Sequence, residues 1–265
     1  MPRVDRDGIS LYYEASGGGE AVAFVNDVGY GAWAWGWQHD ALAAAPYETL
    51  VWDPRGTGRS DAPEGPYAVG TLANDLDAVL SAAGVGGVHL VGAGLGGMVA
   101  LDYAHDARRV ESLTLLGTAA TGDRVDADAL AALGAPLEDH EALRASLTGA
   151  FGPDVPADHD LLDRIAEWRA QDDATPAARE AQAAAMLGFD ASDWLYEVTQ
   201  PALVVHGVED AIVPAAAGEA LAEGLPRGEY VPVEAGHLCG VEASRAVSDE
   251  LLAFLAESAG EAGSP

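Results

Sequence analysis

Lysine is absent from this chain: all 13 basic residues are arginine, and they stand against 43 acids for a formal charge of −30. That balance excludes ordinary nucleic-acid binding, which depends on cationic neutralisation of phosphates. Cys239 is the only cysteine, so neither an intramolecular disulfide nor a cysteine-based metal cluster can be assembled. The histidines fall into no HxxxH or HExxH spacing, and no metal and no cofactor are expected. No stretch approaches the roughly 18 uninterrupted apolar residues of a membrane span, and the segment Met1 to Gly8 is charged rather than an apolar signal core. The expectation is a soluble, cytoplasmic protein whose partner is a small-molecule substrate or ligand, with no nucleic acid and no membrane; its oligomeric state is left open.

What is present is enough apolar material, 49% of 265 residues, for one large α/β domain. The acids are spread through periodic segments rather than gathered into a disordered tail, which gives them the look of a solvated surface. A surface of one sign repels itself in dilute salt. At molar salt the Debye length falls to about 3 Å and the repulsion largely disappears. In this the sequence resembles the proteins of salt-accumulating halophiles; a GC-rich codon bias would also remove lysine.

Short apolar runs alternate with amphipathic helical stretches, the pattern of a mostly parallel sheet covered on both faces. Arg3 to Arg6 and Ser10 to Ala15 flank the turn dipeptide Asp7-Gly8 and predict an antiparallel hairpin at the sheet edge. Six further strands are predicted at Ala21 to Asn26, Thr49 to Asp53, Val88 to Gly92, Ser112 to Gly117, Ala202 to Gly207 and Glu229 to Val233. Helices fit at Trp35 to Ala45, Thr71 to Ala83, Leu95 to His105, Pro214 to Leu225 and Glu242 to Glu257. About 80 residues from Thr121 to Gln200 contain no convincing strand and are punctuated by Gly134, Pro153, Pro156, Pro176 and Gly188. A structureless loop of that length is improbable in a compact domain, so residues 121–200 are expected to form a helical cap of four or five short helices on a core of residues 1–120 and 201–265. The small, polar tail from Ser258 to Pro265 is expected to fray.

Four segments carry the chemistry. Asp53-Pro54-Arg55-Gly56-Thr57-Gly58-Arg59-Ser60 is a glycine-rich loop after a strand, and without lysine or a GxxxxGK[ST] pattern it is no phosphate loop. Val88 to Met98 reads as strand, sharp turn and helix through Gly92-Ala93-Gly94-Leu95-Gly96. The same residues spell G-x-G-x-x-G at Gly92, Gly94 and Gly97, the dinucleotide fingerprint, but they follow several earlier strands and the next strand leads into Gly117-Thr118-Ala119-Ala120 with no acid. Asp210 lies in a loop after the strand ending at Gly207, and His237 in the loop Glu234-Ala235-Gly236-His237 after the last strand.

Taken in order, these segments resemble the α/β-hydrolase family over nearly the whole chain. The resemblance implies an eight-stranded, mostly parallel sheet with an inserted helical cap, Asp210 as the acid, His237 as the base, and Gly94 where the family's G-x-S-x-G elbow carries its nucleophilic serine. It also implies that the backbone N–H groups of Leu95 and Val28 form the oxyanion hole. Asp27, where many relatives have glycine, would repel a developing oxyanion unless protonated or turned away. Asn26 either donates a side-chain hydrogen bond there or caps the loop. Trp33, with Trp35 and Trp37, lines a ligand pocket or packs in the core. Cys239 lies on the base's own loop, the wrong place for a substitute nucleophile. Gly94 adopts positive φ without strain and leaves a space that a water can fill.

These residues suggest a hydrolase-like enzyme acting on a small ester-, lactone- or epoxide-like or other apolar molecule through the His237/Asp210 pair. The alternatives are a catalytically inactive hydrolase-fold protein that binds a small ligand or a protein partner, and a serine hydrolase altered at Gly94 to trap a ligand. The charge pattern makes a prediction of its own: the midpoint of unfolding, followed by circular dichroism, rises steeply between roughly 0.1 M and 2 M KCl as self-repulsion is screened, and a flat dependence would remove the halophile reading.

Overall fold

The computed structural model describes residues 2–153 and 159–262. Pro156 and the last three residues of the tail, 263–265, for which a helix punctuation and fraying are expected, lie outside them. Eight strands form one sheet: β1 (Arg3–Arg6), β2 (Ile9–Gly17), β3 (Glu20–Val25), β4 (Tyr47–Asp53), β5 (Val88–Ala93), β6 (Val110–Leu116), β7 (Ala202–Gly207) and β8 (Gly228–Val233). Their spatial order is β1-β2-β4-β3-β5-β6-β7-β8. β2 pairs antiparallel with β1, as the Asp7-Gly8 turn predicts, and with β4, and all pairings among β4, β3, β5, β6, β7 and β8 are parallel. β2 runs longer than expected because it pairs with β4 all the way to Gly17 opposite Glu48.

Alternation along the central strands divides the core into two layers. Ala21, Ala23 and Val25 of β3 face α2 (Val69–Ala82) and α3 (Leu95–Asp106), whereas Val22 and Phe24 face α1 (Gly36–Ala43) and α10 (Ser244–Ala262). This is the period-two logic of a sheet buried on both sides. The helix expected from Trp35 begins at Gly36, after a 3-10 turn over Ala32–Trp35 that folds Trp35 onto Phe24 at 5.0 Å between ring centroids. The helix predicted at Pro214 to Leu225 is α8 (Ala215–Gly224). The last predicted helix, Glu242 to Glu257, is α10, which starts at Ser244 after a short separate turn, α9 (Cys239–Glu242), and continues to Ala262, so residues 258–262 are helical where the sequence predicts fraying. No helix among the described residues is long and apolar enough to cross a membrane.

Residues 121–200 hold four α-helices among the described residues: α4 (Ala127–Ala132), α5 (His140–Ser146), α6 (His159–Asp172) and α7 (Pro176–Leu187). Local chemistry starts three of them, since Asp126, Asp139 and Thr175 each accept a hydrogen bond from a first-turn N–H, with Pro176 at the first helical position of α7. α7 rests on the loops that follow β3 and β4. Its Gln182 accepts from the Gly29 N–H at 2.7 Å and donates to the Arg55 carbonyl and the Thr57 hydroxyl, both at 3.0 Å. Its Arg179 donates to the Val28 carbonyl at 2.9 Å. Asp173, between α6 and α7, accepts from the Gly31 N–H at 3.1 Å and from Trp33 Nε1 at 2.8 Å.

The Asp53–Ser60 loop is fixed in the same way from below. Asp75 of α2 is fully buried and receives Arg55 at 2.5 and 2.7 Å and Arg6 at 3.2 Å. Removing the carboxylate would strand the largely buried Arg55 cation, so Asp75→Ala is expected to cost about 3–5 kcal/mol in denaturant unfolding at high salt; a loss within about 0.5 kcal/mol would show that the pair carries little.

Candidate active site

The turn between β5 and α3 is built for a close approach. A Cβ at Gly96 would stand 2.0 Å from the Val25 carbonyl oxygen, so only glycine lets α3 sit this near β3. Gly94 takes φ +48°, as expected of this turn, and is pinned by its N–H to the Leu116 carbonyl at 2.9 Å and by the Thr118 hydroxyl, which donates to its carbonyl at 2.7 Å.

The space beside Gly94 is not left for a water. It is filled by the carboxylate of Asp27, whose Oδ1 lies 1.9 Å from where a Gly94 Cβ would be. Oδ1 accepts from the Val28 N–H at 2.7 Å and the Leu95 N–H at 2.9 Å, the two donors expected to form an oxyanion hole. The latter is the first N–H of α3, where the helix favours a negative charge. Oδ2 lies 2.9 Å from His237 Nε2. Asp27 is therefore neither turned away nor a source of repulsion in an empty hole: its own carboxylate is the anion in it. A dinucleotide phosphate would meet that carboxylate at the same helix terminus, a further physical argument against the G-x-G-x-x-G reading.

His237 is buried between two carboxylates. Its Nδ1 lies 2.8 Å from Asp210 Oδ2, as expected of an acid that orients a base, but its Nε2 is engaged by Asp27 rather than free to face a cavity. Burial opposes charge on the ring, yet Asp210 and then Asp27 outweigh it and push the His237 pKa up to about 10. The resting imidazole is thus a cation, and it must lose a proton before it can act as a base. Burial likewise opposes charge on Asp210, but His237, His206 and the Val213 N–H hold its carboxyl well below the usual carboxylate range. Asp210 also braces its own loop, Oδ1 accepting from the N–H groups of Ile212 at 2.8 Å and Val213 at 2.9 Å. Its capping and histidine-orienting roles coexist, one on each oxygen.

The remaining candidates separate. Asn26 is a loop brace and does not face the hole: its Nδ2 donates to the Tyr30 carbonyl at 3.1 Å and its Oδ1 accepts from Trp35 Nε1 at 2.8 Å. Trp33 lies away from the inner site, stacked on Trp168 of α6 and hydrogen-bonded to Asp173. With Trp37 it lines an outer cavity of about 500 Å³. Trp35, not Trp33, lines the cavity beside Asp27, Gly94 and His237, which is closed down to about 20 Å³, room for about one water. Cys239 is buried and its thiol pKa is pushed up to about 12 by burial and then by Asp210, the opposite of an activated nucleophile. Sequence reasoning missed His206, whose Nε2 lies 2.8 Å from the Val213 carbonyl and 3.3 Å from Asp210, and it missed Gln182 and Arg179 on the Val28–Gly29 backbone. A histidine four residues before the acid was a visible signal for the first; nothing local marked the other two. No group of three or more metal-ligating side chains is found among the described residues.

Comparison with known proteins converges on one family. The pattern described as the alpha/beta hydrolase fold matches residues 28–243. A protein of Azorhizobium caulinodans named carbamate hydrolase RutD is 30% identical, over 97% of this chain and 99% of its own. A protein of Acinetobacter baylyi named 3-oxoadipate enol-lactonase 2 is 27% identical, over 93% of each chain. Among solved structures, a hydrolase from Pseudomonas aeruginosa superposes with a TM-score of 0.83 at 29% identity, covering 95% of this chain and 96% of its own.

The charged His237 makes stability depend on pH. Its pKa in the folded protein lies above the ordinary value of 6.5, so its contribution is complete below that value and is lost as pH rises toward about 10. Thermal unfolding at high salt is expected to show a decline of a few kcal/mol across that range, and His237→Gln should flatten it; an unchanged slope in the variant would place the charge elsewhere. Gly94→Ser is expected to destabilise by about 1–3 kcal/mol or more, because positive φ and the Asp27 carboxylate both oppose its Cβ.

Proposed function

Because this chain belongs to the α/β-hydrolase fold family, we propose that it is a hydrolase of small ester-, lactone- or epoxide-like molecules that works without a serine, through His237 oriented by Asp210. Residues 121–200 serve as its cap, and the excess of acids with no lysine suits it to molar salt. The observation that carries this reading is the unbroken chain from Asp210 to His237 to Asp27, with Oδ1 of Asp27 seated on two backbone N–H groups. A buried cation between two carboxylates is costly to assemble, and its alignment toward the turn at Gly94 is that of a reactive site. Relatives named for carbamate and enol-lactone hydrolysis support a small-molecule substrate.

A second reading has its own support. The donors at Val28 and Leu95 and the His237 imidazole are already satisfied by Asp27, and the cavity beside them is small. A protein in this state could hold a ligand beneath residues 121–200 without turning it over. Activity of the purified protein in high salt on a panel of small esters, lactones and epoxides separates the two. Turnover abolished by His237→Ala supports the enzyme; no turnover, with a ligand co-purifying by mass spectrometry, supports the binding protein.

Gly94→Ser alone is expected to stay inert on a p-nitrophenyl ester, because Asp27 occupies both the hydroxyl's place and the oxyanion donors. The pair Asp27→Gly with Gly94→Ser should gain esterase activity at least tenfold over the parent. If the pair folds and remains inert while the single change is active, the placement of Asp27 in the hole is wrong.

A further inference from the structure

The outer cavity, between α6 and the segment from Trp33 into α1, has walls that packing alone does not explain. Trp33 and Trp168 lie 28° from parallel with ring centroids at 6.4 Å, and Trp37 stands across Trp168 at 74° and 6.2 Å. Packed interiors leave few voids larger than a water, yet these three indoles border about 500 Å³, a volume in the range of small-ligand pockets. The walls are held in place without a ligand. Trp33 Nε1 donates to Asp173 Oδ1 at 2.8 Å, Arg169 locks Asp173 at 2.7 Å, and the buried Tyr30 meets the Trp33 ring edge-on at 5.4 Å. Rings already fixed in this way lose little conformational freedom when a ligand arrives.

The charged groups on this cavity are anionic with one exception. Asp40 is exposed, and Asp172 at the end of α6 is half-buried with no hydrogen bond or ion pair among the described residues. Burial pushes the Asp172 carboxyl above its ordinary value, and Asp53 and Asp173 add to the shift while Arg59 offsets part of it. A carboxylate so placed gains from a cation brought beside it. The exception is Arg164, which is exposed and makes no ion pair among the described residues. Its guanidinium lies 5.0 Å from the centre of the Trp168 ring, within the reach of a cation–π attraction. In a chain with 43 acids, this cation rests on an indole, and it marks that face as one that accepts positive charge.

We infer that the outer cavity binds a small quaternary ammonium compound, at a site separate from the inner one, with which it shares no lining residue. The chemistry of the walls selects that class. A methylated ammonium carries a diffuse charge under an apolar shell, which suits indole faces. Having no N–H, it needs no acceptor in contact, only carboxylates near enough to balance it. A metal ion would need several oxygen ligands in one shell, and no such group is present among the described residues. A neutral apolar ligand would dry the cavity around Asp172 and leave its charge uncompensated. A phosphate attached to the ammonium, as in a lipid headgroup, would be repelled by Asp40 and Asp172, so the ligand is a free cation.

The test is isothermal titration calorimetry of the native protein at high salt with three probes: choline, its uncharged isostere in which a carbon replaces the nitrogen, and phosphocholine. Choline is expected to bind a single site at least about tenfold more tightly than either of the others. Trp168→Leu, checked for folding by circular dichroism, should abolish the choline heat. Arg164→Ala should instead tighten choline severalfold, because the competing cation is gone, and a gain of affinity does not arise from damaged folding. Equal binding of choline and its isostere would overturn the cation site, and tighter binding of phosphocholine would overturn the free cation. Choline binding unchanged in Trp168→Leu would put the ligand elsewhere on the acidic surface. No choline binding by the native protein or by Arg164→Ala would overturn the site altogether.

Discussion

The seating of one carboxylate governs this site. Asp27 fills the notch between β3, the start of α3 and the loop after β8, and in doing so joins three elements that are far apart in sequence. It can do so only because Gly94 has no side chain there: the carboxylate oxygen lies 1.9 Å from where a Cβ would stand. The two positions are complementary in volume and in chemistry. What a serine at the turn would present as a hydroxyl is here presented from the neighbouring loop as an anion, and the hole that would have held a substrate oxygen holds part of the protein.

That anion decides the charge of everything it touches. A buried imidazole would ordinarily be neutral, since burial penalises its charged form. Placed between Asp210 and Asp27, His237 is a cation instead. The carboxylates are in turn compensated by backbone: Val28 and Leu95 for one, Ile212 and Val213 for the other. The outer support is equally specific. Arg179 and Gln182 of α7 hold the Val28 carbonyl and the Gly29 N–H, so this helix fixes the Val28–Gly29 peptide unit, the second after Asp27. The same segment thus fixes the loop after β3.

Much of the frame was legible from local pattern. Apolar runs of five or six residues separated by amphipathic stretches gave six strands, with β7 matched to the residue, because a strand buried on both faces must be apolar throughout; the Asp7-Gly8 turn gave the edge hairpin. Ends shifted where pairing or caps intervened, as at Gly17 and Ala243. Asp210 and His237 were legible from the resemblance of their loops, in that order, to the family's acid and base loops, and their contact follows from β7 and β8 being neighbours in the parallel sheet. Asn26, Trp33 and Asp27 were placed only by the fold. The indole of Trp35 claims the side chain of Asn26 and α6 claims Trp33, both through contacts that no spacing announces.

Sequence alone determined the candidates: Asp210, His237, the glycine turn at Gly94, and an unexpected aspartate, Asp27, in the loop after β3. Periodicity and turn chemistry act over a few residues, and these identities were visible at that range. The tertiary structure alone decided that Asp27 enters the hole rather than turning from it, since that outcome depends on the void at Gly94, 67 residues further along the chain, and on the cation at His237, 210 residues away. A buried charge goes where donors and an opposite charge converge on unoccupied space, and such convergence is a property of the folded chain.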